Sequence, residues 1–427
     1  MMESKHLREG SLPRTRKGVQ PIDDEVQAKT TGMAHGGSAV ARVHGKTFFV
    51  DGALPGELIT GTVELDRGSW GKIRLATVDE PSPYRVPARC GHFTECGGCH
   101  WQQGVYEAQL EWKRSIVIGQ LIHLGRHPDP PVSATVAPGP PYGYRNRMDY
   151  RVVAGSPALY ERRSRRLVPL SECPVLHPNL EALLVDLGDL TGVTMLTLRT
   201  ATTTGDNLAV VTGELPRQAS SWGCRVAVIE NGTLRAVHGD PLLEETVAGV
   251  PFRITGTSFF QNNTAGAEAL VRLVTAAADA GPNDTLLDAY AGGGLFAATV
   301  GRNAGRVIAV EIDKTGAADL HANLNRAGIG EYRIIQDTTE GAIERLDEYW
   351  DVAIADPPRR GLGESGIDAV TAAEPRTLVY VSCDPAALAR DSALLAAVGY
   401  ELESVTPVDM FPQTYHIESV ARFGRGR

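Results

Sequence analysis

The sequence predicts an α/β protein built in three parts: a small all-β barrel, a mixed α+β middle, and a C-terminal sheet of mostly parallel strands with helices on both faces. Three observations lead there. Residues 21–80 hold several short β-like runs and no helix-period pattern. Residues 81–250 mix a helix with strand-like pieces. Residues 251–427 alternate short apolar strands with helical stretches, the pattern of a sheet covered on both faces. A length of 427 residues agrees with two or three domains.

In chain order, residues 1–20 carry Lys5, Arg8, Arg14, Arg16 and Lys17 among few apolar residues and read as a disordered basic tail. A nucleic-acid-contacting arm is the functional alternative to plain solvation. The runs VQAKTTGM, AVARVHG, KTFFVDG, LITGTVELD and KIRLATV follow, separated by Gly and Asp. They suggest a barrel of the oligonucleotide-binding type, which serves as a clamp or as a packing module. YEAQLEWKRSIVIGQLIHLG reads as a helix; YGYRNRMDYRVV, ALYERRSRRLVPL, LTLRTATT, NLAVVTG and CRVAVIE read as strands. Arg162, Arg163, Arg165 and Arg166, with Arg145 and Arg147, form either a phosphate-binding strip or a solvated charge run. Beyond them come the helix AGAEALVRLVTAAAD and then TLLDAYAGGGLFAATVG, RVIAVEID, YRIIQD, YWDVAIADPP, RTLVYVSCD and ESVTPVDMFPQTYHIESVARF, short apolar strands alternating with helical stretches.

Composition excludes several classes. Hydrophobic residues are 42% and charged residues 22%, which rules out a wholly disordered or fibrous chain. The net charge of −9 argues against unspecific coating of nucleic acid but leaves room for a local basic groove. No run of about 18 apolar residues is present, so no transmembrane helix or membrane partner is expected. The polar start lacks the apolar stretch of a signal peptide, and the cytoplasm is the expected compartment.

The six cysteines are too few for a disulfide scaffold. Cys90, Cys96 and Cys99 lie together in ARCGHFTECGGCHWQQ, and Cys173 is followed by proline in SECPVLHP. Closely spaced thiols with Gly97 and Gly98 between them suit a wrapped metal or cluster. Spacing alone leaves iron–sulfur and zinc open, with unrelated thiols as the alternative. His92, His100 and His177 are nearby and read as polar neighbours rather than ligands.

In TLLDAYAGGGLFA, Asp288 ends a strand and glycines 292–294 fill the turn before a helix. Backbone without side chains lets a ligand approach. Glu311 ends the next strand, where a carboxylate accepts ribose hydroxyls, and Asp337 ends a third, facing an adenine amino group. The run departs from the dinucleotide pattern and no GK[ST] follows it, which excludes a phosphate-binding P-loop and disfavours NAD. S-adenosylmethionine, with one ribose, one adenine and no pyrophosphate, fits better.

Cys383 follows a strand in VYVSCDPAALARD, where Asp384-Pro385 starts a helix whose amides favour a thiolate. The reading as a buried small hydrophobe competes. IADPPRRGLG brings Asp356 to a second strand end, and MFPQTYHIESV offers His416 and Glu418 alternating on a strand. Adding a thiolate to C6 of a pyrimidine makes C5 enolate-like, able to attack a sulfonium methyl; a base must then remove the C5 proton. Cys383 and Glu418 suit these roles. In TGTSFFQNN, Phe259 suits stacking on a base and Gln261 reading its polar edge, with simple packing as the alternative.

From about Asp23 to Phe423 the chain resembles the S-adenosylmethionine-dependent RNA uracil-5-methyltransferases that carry an N-terminal TRAM domain and a [4Fe-4S] cluster. The marks are the four cysteines, YRNRM at 144–148, FFQ at 259–261, DPPRRG at 356–361, SCDPAALARD at 382–391 and FPQTYHIESV at 411–420. The resemblance implies a Rossmann-like class I methyltransferase domain (251–427), a TRAM barrel gripping RNA (21–80) and a cluster-bearing middle (81–250). It implies that Cys90, Cys96, Cys99 and Cys173 hold the cluster, Cys383 is the nucleophile and Glu418 the base. Phe259 would stack on the flipped uracil; Gln261 would meet the uracil and the cofactor side; Asp356 would hold the uracil edge and border the cofactor. Tyr290, Gly292, Gly294, Glu311 and Asp337 would line the cofactor pocket, and Arg145, Arg162 and Arg163 would contact RNA. Three features depart from the family: Ala291 stands where Cys is common, Asn262 follows Gln261, and the helix KTGAADLHANLNRAG is less typical. The expected substrate is 23S ribosomal RNA ahead of transfer RNA, the expected state a monomer. A cluster protein that binds RNA without catalysis is the rival, disfavoured by the joint presence of Cys383, Glu418, Asp356 and the glycine loop.

Overall fold

The computed structural model describes residues 25–426, so the basic tail expected over 1–20 lies outside the described residues. Two compact units emerge among the described residues: one holds residues 25–34 and 38–83, the other residues 35–37 and 84–426.

The first unit holds β1 (Glu25–Met33), β2 (Ala39–Val43), β3 (Lys46–Val50), β4 (Leu58–Asp66) and β5 (Trp70–Glu80). They close into a barrel in the order β1-β2-β3-β5-β4. Alternate residues point inward, and Ala28, Ala41, Phe48, Val50, Ile59 and Ile73 fill the interior. Closure removes the free edges that five short strands would otherwise expose.

The second unit begins with α1 (Tyr106–His123). β6 (Arg147–Val153), β7 (Ser156–Tyr160), β8 (Leu167–Pro169), α2 (Pro178–Asp186), β9 (Val193–Thr200), β10 (Asn207–Gly213), β11 (Arg225–Glu230) and β12 (Thr233–His238) follow. These strands form one sheet ordered β12-β11-β10-β9-β6-β7-β8. A hairpin of β13 (Leu242–Val247) and β14 (Val250–Thr255) leads to α3 (Thr264–Ala278). The remaining elements are β15 (Thr285–Ala289), α4 (Leu295–Thr299), β16 (Arg306–Val310), α5 (Lys314–Ala327), β17 (Tyr332–Ile335) and α6 (Thr339–Glu344). After them come β18 (Val352–Ala355), α7 (Gly363–Thr371), β19 (Thr377–Ser382), α8 (Pro385–Ala397), β20 (Tyr400–Val408) and β21 (Glu418–Arg425). Their sheet runs β17-β16-β15-β18-β19-β21-β20, parallel from β17 to β19, with β21 inserted antiparallel between β19 and β20. β18 and β19 are buried at every residue, as strands covered on both faces must be.

Three readings change. The division expected at 250/251 falls inside the β13–β14 hairpin, whose Val247, Val250, Phe252 and Ile254 all pack into the core of the C-terminal sheet. ALYERRSRRLVPL is two strands rather than one: Arg163 takes a positive φ of 58°, and the intervening turn is closed by Arg166 on Glu161 at 2.7 Å. His416 does not share a strand with Glu418, because β21 starts at Glu418 and Gln413, at φ 68°, turns the chain just before it. Among the described residues no helix is long and apolar enough to cross a membrane.

Candidate active site

The parallel strands deliver their carboxyl ends to one edge of the sheet, where a cavity of about 840 Å³ opens. β15 brings Tyr290, Gly292 and Gly293 to its wall, β16 brings Glu311, and Asp337 follows β17. Asp356 and Arg359 follow β18, Cys383 follows β19, and Glu418 begins β21. Phe259 and Gln261 come from the loop after β14, and Arg145 from the segment before β6. Gly294 is not on the wall. It caps α4 and packs against Leu320, and Gly293 takes its place. Arg162 and Arg163 are also not on the wall; Arg162 donates to the Cys99 carbonyl at 2.6 Å.

The antiparallel register of β19 and β21 pairs Thr377 with Gly424 and Ser382 with Ser419. One step further, that register sets Cys383 opposite Glu418. Thiol and carboxyl are therefore brought together by main-chain pairing. Asp384 caps α8 by accepting from the Ala387 amide at 2.8 Å, with Pro385 in the first turn. The loop carrying Asp356 and Arg359 is tied down by Asp391, whose carboxylate accepts from the Leu362 amide and the Tyr380 hydroxyl, both at 2.7 Å. Gly361 must be glycine: its φ is 81°, and a Cβ would lie 2.4 Å from that carboxylate.

Three acids share this edge. Burial, then the neighbouring Asp356, holds Glu418 well above the usual carboxylate range, against the pull of Arg359. Burial pushes Asp356 up to about 7. Burial, then Glu418 and Asp356, pushes the Cys383 thiol up to about 12, again opposed by Arg359. Without bound partners the pocket thus holds its protons, and added positive charge would release them.

On the opposite side, Glu311 accepts from the Gly292 amide at 2.7 Å and the Asp313 amide at 2.6 Å, which fixes its carboxylate toward the cavity. Asp337 is ion-paired with Arg345. The Tyr290 hydroxyl donates to Glu340 at 3.2 Å. Asp288 is fully buried behind the glycine turn; one oxygen accepts from the Ala297 amide at 2.7 Å and the other has no partner.

Phe259 is 64% exposed while its neighbour Phe260 is buried against Phe252, the ring centres 5.3 Å apart. Gln261 is buried and on the cavity wall. Of the polar run that follows, Asn263 has a structural task, capping α3 through the Gly266 amide.

A second cavity, of about 360 Å³, is lined by Cys90, Cys96, Cys99 and Cys173 and shares Arg145, Phe411 and His416 with the first. Among the described residues no group of three or more His, Cys, Asp or Glu side chains has the geometry of a metal-ion site. The Gly98 amide donates to the Cys96 sulfur at 3.4 Å, and a Cβ at Gly97 would come within 2.8 Å of the Tyr160 carbonyl. Burial, then nearby thiols, pushes Cys173 up to about 12; burial pushes Cys99 up to about 11. His92 meets Ser171 and His177 caps α2. His100 is partly buried, its Nδ1 without a partner.

Sequence reasoning missed the group that shapes the segment before Glu418. Lys113, fully buried on α1, donates to Asp409 at 2.5 Å, to the His416 carbonyl at 2.8 Å and to the Phe411 carbonyl at 3.2 Å. All three ammonium protons are used. The available signal was a lysine on the core-facing stripe of α1, beside Gln109, Ile116 and Val117.

A family model described as tRNA (uracil-5-)-methyltransferase matches residues 243–424. An RNA methyltransferase of Gloeobacter violaceus is 34% identical, over 94% of this chain and 96% of its own. One of Thermosynechococcus vestitus is 32% identical, over 93% of this chain and 97% of its own. Among solved structures, the Pyrococcus abyssi tRNA (uracil-54, C5)-methyltransferase, in complex with S-adenosyl-L-homocysteine, superposes with a TM-score of 0.74 at 22% identity. It covers 93% of this chain and 100% of its own, a likeness of fold.

Proposed function

The chain belongs to the RNA (uracil-5-)-methyltransferase family, S-adenosylmethionine-dependent enzymes, and from that premise we propose that it methylates C5 of one defined uridine in 23S ribosomal RNA by covalent catalysis. The observation that carries the reading is the β19–β21 register, which brings Cys383 and Glu418 to one edge of one cavity. The sheet order supports a class I methyltransferase domain, and the closed five-stranded barrel supports a TRAM-like RNA clamp.

The cofactor-side residues fit S-adenosylmethionine. Glu311 offers a fixed carboxylate to a ribose, Gly292 and Gly293 leave the backbone approachable, and Asp288 has a spare oxygen just behind. When bound, that group supplies the methyl and a positive charge. Phe259 stacks on the uracil ring, Gln261 meets its polar edge, and the Asp356 carboxyl, which burial shifts toward its protonated form, donates to a carbonyl oxygen when it carries the proton. The Cys383 sulfur, once deprotonated, bonds to C6. C5 would become nucleophilic toward the sulfonium methyl, Glu418 as carboxylate takes the C5 proton, and loss of the C6–S bond restores the ring and the Cys383 thiolate. Arg359, facing both acids and the thiol, steadies the negative charge while it exists.

We further propose that Cys90, Cys96, Cys99 and Cys173 hold a [4Fe-4S] cluster. The support is four thiols lining one cavity, with Gly97 and Gly98 between two of them. The cluster would serve shape, since no step above moves an electron. A transfer RNA substrate is the second reading, favoured by the description of the matching family model.

Incubation of the cluster-loaded protein with labelled S-adenosylmethionine and unmodified total RNA, with mapping of the labelled nucleoside, tests all of this. The expected product is 5-methyluridine at one position of 23S RNA. Label in transfer RNA alone would establish the second reading, and label on another atom or nucleoside would overturn the mechanism.

A further inference from the structure

The loop that presents Phe259 and Gln261 has almost no packing of its own on the Phe259 side. That ring is 64% exposed, so its direction is set by the backbone beneath it. Two residues of the neighbouring sheet and the one just before β6 hold that backbone. Arg199 on β9 donates to the Ser258 carbonyl at 3.0 Å and the Phe260 carbonyl at 3.3 Å. Arg147 on β6 donates to the same Ser258 carbonyl at 3.2 Å. Asn146 donates through its side chain to the Gln261 carbonyl at 3.3 Å and through its amide to the Asn262 carbonyl at 2.9 Å.

Arg199 is the unusual member. It is 2% exposed and stands directly across the strand pair from Arg147, like charge beside like charge. Asp149 bonds to Arg147 at 3.1 Å, but the hydrogen bonds of Arg199 go to carbonyls. Burial pushes its guanidinium down to about 9. A buried cation without a bonded carboxylate is a poor way to fill space; an apolar side chain of that size would pack at lower cost. A planar guanidinium does what no apolar chain does: its two terminal nitrogens bind the two carbonyls that flank Phe259. With both carbonyls turned the same way, the intervening side chain is turned toward the cavity, and Phe260 is left to anchor in the core.

We propose that Arg199, seconded by Arg147, is a positioning residue for RNA recognition: it preorganises the Phe259–Gln261 loop so that the aromatic ring stands ready for the target base. The inference rests on the reading of Phe259 as the stacking residue. Preorganisation lowers the ordering cost of binding, and its loss falls on the RNA rather than on S-adenosylmethionine.

The test is a double-mutant cycle on methyl transfer. Arg199→Lys keeps the charge but loses the two-carbonyl grip; Arg147→Lys is the second variant, at a less buried position, should Arg199→Lys fold poorly. Each is combined with Phe259→Ala. Expected is a rise of about tenfold in KM for RNA with Arg199→Lys and an unchanged KM for S-adenosylmethionine. In the Phe259→Ala background the same change should have almost no further effect, because its route is already gone. Independent, multiplying effects would overturn the proposal while leaving Phe259 as the stacking residue, as would equal rises in both KM values. A silent Phe259→Ala would remove the stacking role itself and the proposal with it.

Discussion

The cavity that contains Cys383 and the cavity lined by Cys90, Cys96, Cys99 and Cys173 share Arg145, Phe411 and His416 as a common wall. Both gather acids that burial drives toward their neutral forms. They differ in what holds the acids in place. In the first, Cys383, Glu418 and Asp356 adjoin the ends of paired strands of one sheet, so the main chain fixes their spacing. In the second, three cysteines come from a loop and one from a distant turn, and the side chains depend on each other and on what they bind. The difference separates chemistry from architecture: a side chain removed from the first should change the reaction and spare the fold, while one removed from the second should disturb the fold.

The sharpest way to break this contrast is Cys383→Ala. Turnover should fall by at least about 10⁴-fold, with S-adenosylmethionine affinity and melting temperature close to those of the parent. Residual full-rate methylation would end the assignment. Glu418→Gln should slow turnover by about 10²–10⁴-fold and leave a Cys383–RNA adduct visible on denaturing gels, since methylation can precede the blocked proton removal. In the other cavity, Cys99→Ser or Cys173→Ser should lower bound iron and sulfide and reduce the melting temperature by roughly 5–10 °C, with methyl transfer falling only as folded protein is lost. An unchanged melting temperature would place those cysteines outside the architecture.

The smallest effect is a slope with pH. Asp288 is pushed up to about 8 and Asp356 to about 7, from an ordinary 3.8. Between these limits the folded chain binds more protons than the unfolded one, so these groups stabilise the fold below about pH 4 and lose that contribution as pH rises through 7 and 8. His100 and His416, held down to about 3 and 4 by burial, act in the opposite sense, but only below their ordinary 6.5. From pH 6.5 to 8.5 the melting temperature of the cofactor-free protein should therefore fall by a few degrees. Asp288→Asn, which can still accept from the Ala297 amide, should flatten part of that slope. An identical slope in the variant would mean that Asp288 is already ionised in the fold.

The sequence made one cavity far more legible than the connections around it. Cys383, Glu311 and Asp356 were readable because each follows a short apolar strand, and the parallel pattern sends such ends to one edge. His416 was misread because alternation continues through HIESV while the turn at Gln413 interrupts the strand. Nothing local in the arginine run says that Arg166 closes on Glu161 or that Arg162 turns to the Cys99 carbonyl. The Lys113–Asp409 pair joins positions 296 residues apart, and the Arg199 grip crosses from one sheet to a loop beyond another. No spacing rule reaches across such distances; only the packed fold brings those partners together.

The antiparallel insertion of β21 has a consequence for how this chain tolerates insertions and deletions. Adding or deleting one residue between Phe411 and Ile417 would move the carbonyls that Lys113 holds, but by itself it would not shift the register that pairs Ser382 with Ser419. The same change inside β19 or β21, if the sheet keeps its end anchors, slides one strand past the other by one position. Side chains alternate between faces at every step, so such a slip would set Ser419 or Ile417 where Glu418 stood and turn the carboxyl to the opposite face. Cys383 and Glu418 thus sit in a reading frame written in hydrogen bonds.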